Sequence, residues 1–255
     1  MRRRMNDSPR AKQLVALAWG LLCHLSFLAG VGAMVLGLHE GLRTGLGPFQ
    51  GRWAVLADAL LVLQFPLLHS LLLSAGGRRF MSRLAPLGLG KALATTTYAT
   101  FASLQVLFTF LLWSPTGAVL WEASGAARWA CEAAYVLSWV LVVKSMQDAG
   151  LGIQMGYLGW TAVARGEAPR YAGFPTGGMF RWCRQPIYAA FALTLWTGPV
   201  LTADRLFMAV VWTGYCLVGP LLKERRYQAL YGQAFSDYQA RVPYLLPALS
   251  RRRAG

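Results

Sequence analysis

Arg184, Gln185, Pro186, Ile187 and Tyr188 form a tract whose residue types suit the start of a helix that faces an anion. Proline is well placed in a first helical turn, where its missing N–H leaves no bond unmade. Arg184 then stands just ahead of a helix N-terminus, whose free N–H groups and dipole favour negative charge. Tyr188 lies four residues on, over the same face. An arginine at a helix N-terminus makes a carboxylate clamp; the competing reading is an interfacial arginine that anchors a membrane helix. A second tract runs from Glu224 through Arg225, Arg226, Tyr227, Tyr231, Gly232, Phe235, Tyr238, Arg241, Val242 and Pro243 to Pro247. Glu224, Tyr227 and Tyr231 share one helical face at i, i+3 and i+7. A carboxylate ringed by tyrosines at the rim of an apolar segment suits a hydroxyl or a cation, and ionisable groups at membrane depth are functional candidates. The plainer alternative pairs Glu224 with Arg225 or with a neighbouring helix.

The elements that must hold these tracts are apolar. The 255 residues are 56% hydrophobic and only 14% charged, where a soluble domain carries about 25% charged residues. Six stretches are apolar enough to cross a bilayer, judged against about 20 residues per spanning helix: residues 14–38, 53–75, 93–113, 129–143, 187–201 and 206–222. The fourth and fifth are short and contain Glu132 or Pro199. The net charge of +15 is distributed by side. Placed on six spans, 21 of the 25 basic residues fall in the two tails and the even-numbered loops, leaving Arg43, Arg52, Arg128 and Arg205 for the other face. The positive-inside rule then puts both termini in the cytoplasm. The basic excess is therefore topological, and nucleic acid is not an expected partner. The first apolar run is too long for a cleavable signal peptide.

Several chemistries lose support. The four cysteines have no zinc or haem spacing, and Cys23, Cys131 and Cys216 fall within spans as small buried hydrophobes. His24, His39 and His69 are too scattered for a metal site. There is no GxxxxGK[ST], no HExxH and no GxSxG. The run from Gly150 to Gly156 misses GxGxxG by one position and reads as a glycine-softened helix end. The halves also differ: residues 1–145 read as four helices with short connections, whereas Lys144 to Arg184 reads as a polar loop of about forty residues, far beyond the usual 2–8 between helices. A loop of that length points to function in the second half.

Taken together, the motifs are specific. Arg-x-Pro-x-Tyr, a short helical hairpin, Glu224, and then Gly232-x-x-Phe235-x-x-Tyr238-x-x-x-Val242-Pro243-x-x-x-Pro247 resemble the isoprenylcysteine carboxyl methyltransferase superfamily of integral membrane methyltransferases. The resemblance covers residues 175–247. Upstream, His69–Ser70, Trp113-Ser114-Pro115 with Trp121, Gly152-Ile153-Gln154 and Trp196-Thr197-Gly198-Pro199 are similar to the bacterial branch that holds methanethiol S-methyltransferases and NnrU-like proteins.

The resemblance implies an all-α integral membrane protein of about six transmembrane helices. Residues 1–145 would form a four-helix transmembrane region, and residues 146–255 a methyltransferase core in the bacterial inner membrane. S-Adenosylmethionine would bind facing the cytoplasm, its amino-acid end held by Arg184, Gln185 and Tyr188. Glu224 would orient a cofactor hydroxyl or the sulfonium, and Tyr227, Tyr231 and Tyr238 would wall the pocket. Arg184 and Glu224 would be the catalytic pair, and His69 an acceptor-side residue. The acceptor would be a small or lipophilic thiol or carboxylate that enters from the membrane lipid. Two departures stand out: the family's Arg-His-Pro is Arg184-Gln185-Pro186 here, and the first acid of its Glu-Glu pair is Lys223. Both favour the alternative of a non-enzymatic membrane protein that keeps the fold, while Arg184, Tyr188 and Glu224 stand against it.

Overall fold

The computed structural model describes residues 8–246; Arg2, Arg3, Arg4, Pro247, Arg251, Arg252, Arg253 and both chain ends lie outside them. Two compact units emerge, one holding the chain up to Ala118 together with Leu151–Tyr171, the other Val119–Gly150 together with the chain from Ala172 onward.

In the first unit, α1 (Pro9–His39) starts where Ser8 Oγ accepts the Ala11 N–H at 3.2 Å and Pro9 takes the first turn. It packs along α4 (Ala94–Leu111), with α2 (Arg52–Leu72) on the other side of α4 and α3 (Ala75–Leu84) following α2. Gly30 sets the closeness of α1 and α4: a Cβ there would sit 2.5 Å from the Ser103 carbonyl oxygen. Small residues at such crossings let backbones approach, and polar side chains then bond across helices. Between α2 and α4, Gln64 Nε2 donates to the Gln105 carbonyl at 3.0 Å and to Thr109 Oγ1 at 2.9 Å, and Gln105 Nε2 donates back to Gln64 Oε1 at 3.2 Å. The unit is completed by α6 (Leu151–Gln154) and α7 (Tyr157–Ala164), whose start is held by Thr96 Oγ1 donating to the Gly156 carbonyl at 2.7 Å.

The second unit begins with β1 (Val119–Glu122), paired antiparallel with β2 (Val200–Thr202) in the register Trp121 to Leu201 and Glu122 to Val200. Then come α5 (Gly125–Ala149), a 3-10 turn at Gly178–Arg181, α8 (Pro186–Trp196), α9 (Ala203–Tyr231) and α10 (Gln233–Arg241). Thr202 caps α9 by accepting the Arg205 N–H at 3.0 Å. Gly232, at φ +51, separates α9 from α10 in a conformation that L side chains rarely adopt.

Among the described residues, four helices are long and apolar enough to cross a membrane: Pro9–His39, Gly51–Leu72, Gly125–Ala149 and Ala203–Tyr231. The chain is a helical, multi-pass membrane protein. The other two expected spans are shorter or more polar. The segment expected over 187–201 is an 11-residue helix, Pro186–Trp196, followed by strand; at about 1.5 Å per residue it reaches roughly half of a 30 Å hydrocarbon core. The segment expected over 93–113 is α4, an 18-residue helix that buries Thr96, Thr97, Thr100, Ser103, Gln105 and Thr109.

Other expectations need correction. The fourth apolar run lies within a 25-residue helix, Gly125–Ala149, which adds residues 125–128 ahead of it and 144–149 after it, where Lys144 and Asp148 pair at i, i+4. The supposed forty-residue loop starts inside that helix and includes α6, α7 and the 3-10 turn. The sixth apolar run ends at Leu222, and the polar helix expected after it continues α9 without a break to Tyr231. The two-stranded β1–β2 ladder was not foreseen. Gly150 and Gly156 do break helices, at φ +94 and +75.

Candidate active site

Helix α8 opens as the tract around Pro186 predicts, with Pro186 in its first turn and Gln185 at the cap. Arg184, just before it, is fixed from two directions. Its own N–H donates to the Pro243 carbonyl at 2.9 Å, and its Nη1 donates to the carbonyls of Gln239 at 2.9 Å and Val242 at 2.7 Å, near the end of α10. Toward α9, Nε donates to Glu224 Oε1 at 2.9 Å and Nη2 to Oε2 at 3.3 Å. This is a two-pronged guanidinium–carboxylate pair between side chains only 13% and 8% exposed.

Glu224 therefore pairs with neither Arg225 nor Arg226. Gln185 Nε2 also donates to Oε1, at 2.6 Å, and Gln239 Nε2 to Oε2, at 2.7 Å. A carboxylate offers about four lone-pair sites, and four protein donors fill them. Because that carboxylate only accepts, the amide nitrogen of Gln185 must face it. The other end of the amide, Oε1, is buried with no partner among the described residues. Of the five guanidinium N–H groups of Arg184, four are used and one on Nη2 remains.

Beside this network is a crease of about 10 Å³, lined by Phe174, Phe180, Arg184, Gln185, Lys223, Tyr227, Phe235 and Tyr238 among others. Phe174 sits at the centre of its aromatic wall, with ring centroids 4.9 Å from Tyr231, 5.2 Å from Phe235, 5.5 Å from Tyr238 and 6.1 Å from Tyr227. Tyr238 donates its hydroxyl to the Phe180 carbonyl at 2.8 Å, and burial pushes its ionisation up to about 12. Burial likewise raises the Cys183 thiol, whose Sγ accepts the Gln185 N–H at 3.3 Å. The Tyr188 ring lies 6.2 Å from that of Tyr215, and the Lys223 ammonium stands 5.4 Å from the Tyr188 ring and 5.9 Å from the Tyr227 ring.

Over 199 residues the chain is 31% identical to methanethiol S-methyltransferase of Mycobacterium tuberculosis, covering 76% of this chain and 78% of that protein. The chain belongs to the methanethiol S-methyltransferase family. It is 29% identical over 220 residues to methanethiol S-methyltransferase 2 of Bradyrhizobium diazoefficiens, covering 85% and 80% of the two chains. It is also 26% identical over 245 residues to the enzyme of the same name from Pseudomonas sp. (strain GM41), covering 92% and 91%. No family model and no solved structure matches the chain.

For this member of the methanethiol S-methyltransferase family, the second unit brings together Arg184, Gln185, Tyr188, Glu224, Tyr227, Tyr231 and Tyr238. His69 belongs to the first unit, on α2, with its ring 4.9 Å from Phe65 and 5.0 Å from Tyr98. Sequence reasoning missed the contributions of Phe174, Phe180 and Gln239, while Lys223, singled out there as a departure from the family pattern, lines the crease. Phe174 carried a faint signal, an aromatic residue before proline in a stretch otherwise rich in glycine. Gln239 carried none, because its role depends on where α10 turns after Gly232.

Proposed function

We propose that the chain transfers a methyl group from S-adenosylmethionine to a small thiol, in a site built on Arg184, Gln185, Tyr188, Glu224, Tyr227, Tyr231 and Tyr238. The name shared by the relatives supports methyl transfer to a thiol. The observation that carries the reading is Gln185 Oε1, a buried acceptor without a partner, held in place by a saturated carboxylate at the edge of an aromatic crease. A buried acceptor left unmade costs about 1–3 kcal/mol, so it marks a place where a donor belongs.

The residues fit the cofactor's chemistry. S-Adenosylmethionine, when bound, supplies a methyl group already activated on a sulfonium, and its amino-acid end offers an ammonium and a carboxylate. Gln185 Oε1 accepts from an ammonium. The remaining Nη2 N–H of Arg184 and the first N–H groups of α8 donate to a carboxylate. The tyrosines and Phe235 present aromatic faces to a cation or a flat ring. Arg184 and Glu224 neutralise each other and so position the site without adding net charge. Glu224 fixes the amide of Gln185, and Gln239 ties the carboxylate to α10. Orientation of this kind accounts for much of a methyl transfer from an activated donor.

In the same reading residues 146–255 carry the methyltransferase core and residues 1–145 anchor it. Six crossings, with α4 carrying a buried polar side and α8 short but apolar, put both termini in the cytoplasm of a bacterial inner membrane. The charge asymmetry supports this; a reporter fused after Gly255 that is active only outside the cytoplasm would refute it. The function is tested by calorimetry with S-adenosylmethionine in detergent and by labelled-methyl transfer to methanethiol, a prenylcysteine and a lipid amine. Cofactor binding with transfer to the thiol is expected. Absence of binding, or transfer to the carboxylate or amine alone, overturns it.

A further inference from the structure

Two cations line the aromatic crease, Arg184 and Lys223. Arg184 is committed to Glu224 and to backbone carbonyls. Lys223 differs: among the described residues it makes no hydrogen bond or ion pair, and it is flanked instead by the rings of Tyr188 and Tyr227. Its sequence neighbour Glu224 has no lone-pair site left for it. The result is a lysine ammonium with three donors at the crease and no anion to receive them. Aromatic faces hold a cation while leaving its N–H groups directed elsewhere.

A thiol is a poor nucleophile until it loses its proton, and a fixed neighbouring cation favours the thiolate. We propose that Lys223 is a catalytic residue that holds the acceptor thiol as its thiolate in the crease; this rests on the thiol reading above. The S–H proton leaves to water. A lone pair of the thiolate sulfur forms the new C–S bond to the donor methyl carbon, while the bond from that carbon to the donor sulfur breaks and its electron pair stays on that sulfur. The other titratable or charged groups facing Lys223 are Cys183 and Arg184 ahead of α8 and Tyr188 on it. From α9 come Glu224, Arg226 and Tyr227, and from α10 Tyr238. Glu224 and Arg184 cancel one another, and Arg226 does not line the crease, which leaves Lys223 as the uncompensated cation among the residues that line it.

The test uses the whole protein in detergent, saturated with S-adenosylhomocysteine, and titrates bound thiophenol through the absorbance of its thiolate. The expected midpoint lies about one to three units below that of free thiophenol, the size of shift a close opposite charge produces. Lys223→Gln should return the midpoint to the free value, and Lys223→Arg should keep much of the shift. In methyl-transfer assays at saturating thiol, the acidic limb of kcat against pH should move upward by the same interval in Lys223→Gln. A wild-type midpoint equal to that of free thiophenol overturns the proposal, whatever the variants do. So does Lys223→Gln with an unchanged pH limb and weakened S-adenosylhomocysteine binding, which would assign Lys223 to the cofactor's carboxylate. A wild-type protein that binds cofactor but methylates no thiol sinks the underlying reading instead, a result distinct from an unshifted midpoint in an enzyme that turns over.

Discussion

The second unit holds one buried arginine and one largely buried arginine, set against opposite ends of α9, and they are used differently. Arg205, 1% exposed near the start of the helix, donates to the carbonyls of Leu195 at 3.2 Å and Val200 at 2.6 Å, tying the turn between α8 and β2 to α9. Arg184, bonded across to Glu224 near the other end, shares a carboxylate with two glutamines, beside a crease that retains an unpartnered acceptor and an uncommitted ammonium. Burial of a cation thus does not by itself mark a working site. What marks it is the company: Arg205 bonds backbone carbonyls alone and leaves its own Nη2 without a partner among the described residues, whereas Arg184 joins backbone carbonyls to a carboxylate shared with two glutamines.

The comparison can be broken by removing each arginine. Arg184→Leu strands the Glu224 carboxylate in a buried setting, and breaking such a pair from one side costs about 3–5 kcal/mol. Thermal unfolding in detergent should show a loss of that size, and S-adenosylmethionine binding should be abolished. Glu224→Gln keeps the shape of the network and two of its acceptor sites, so the protein should fold and insert. Labelled-methyl transfer should nonetheless fall about tenfold or more, because a reacting group displaced by about 1 Å can lose on the order of a hundredfold in rate. Arg205→Leu leaves two carbonyls unmade and should cost about 1–3 kcal/mol of stability, while cofactor affinity in the folded protein stays at the wild-type value. An equal loss of affinity in Arg184→Leu and Arg205→Leu would erase the distinction between them.

The smallest effect belongs to Tyr238. Tyr238→Phe deletes one buried hydrogen bond and should cost about 1 kcal/mol. Because burial raises the hydroxyl from 10.0 to about 12, the folded state favours the protonated phenol. Its contribution is complete below pH 10 and is lost as pH rises toward 12. Wild-type stability should fall across that interval more steeply than that of Tyr238→Phe; parallel curves would remove the pH link.

The legible parts of the sequence were those governed by local rules. Pro186 announced the start of α8, and the spacing of Glu224, Tyr227 and Tyr231 announced a helix that does carry all three. Periodicity gives a face, but not what meets it. Local spacing offered Arg225 or a neighbouring helix as the partner of Glu224 and could not choose; the partner is Arg184, forty residues earlier and just ahead of α8. The pairing of β1 with β2 joins segments about eighty residues apart, and the β1 residues are all exposed, so no alternating pattern signalled a strand. In α4, averaged hydropathy concealed a polar side that is buried rather than exposed to solvent.

Phe174 has a consequence for time rather than for energy. With its ring wedged among Tyr227, Tyr231, Phe235 and Tyr238, the crease has room for little more than a water molecule. A larger molecule needs this aromatic wall to part, and entry limited by that movement is the expected outcome of stopped-flow binding measurements. Association is then timed by a first-order movement within the chain, and its observed rate levels off at high ligand concentration instead of rising in proportion. A lighter side chain at this position would admit molecules sooner and release them sooner, setting how often the site can be used rather than how well it does its chemistry.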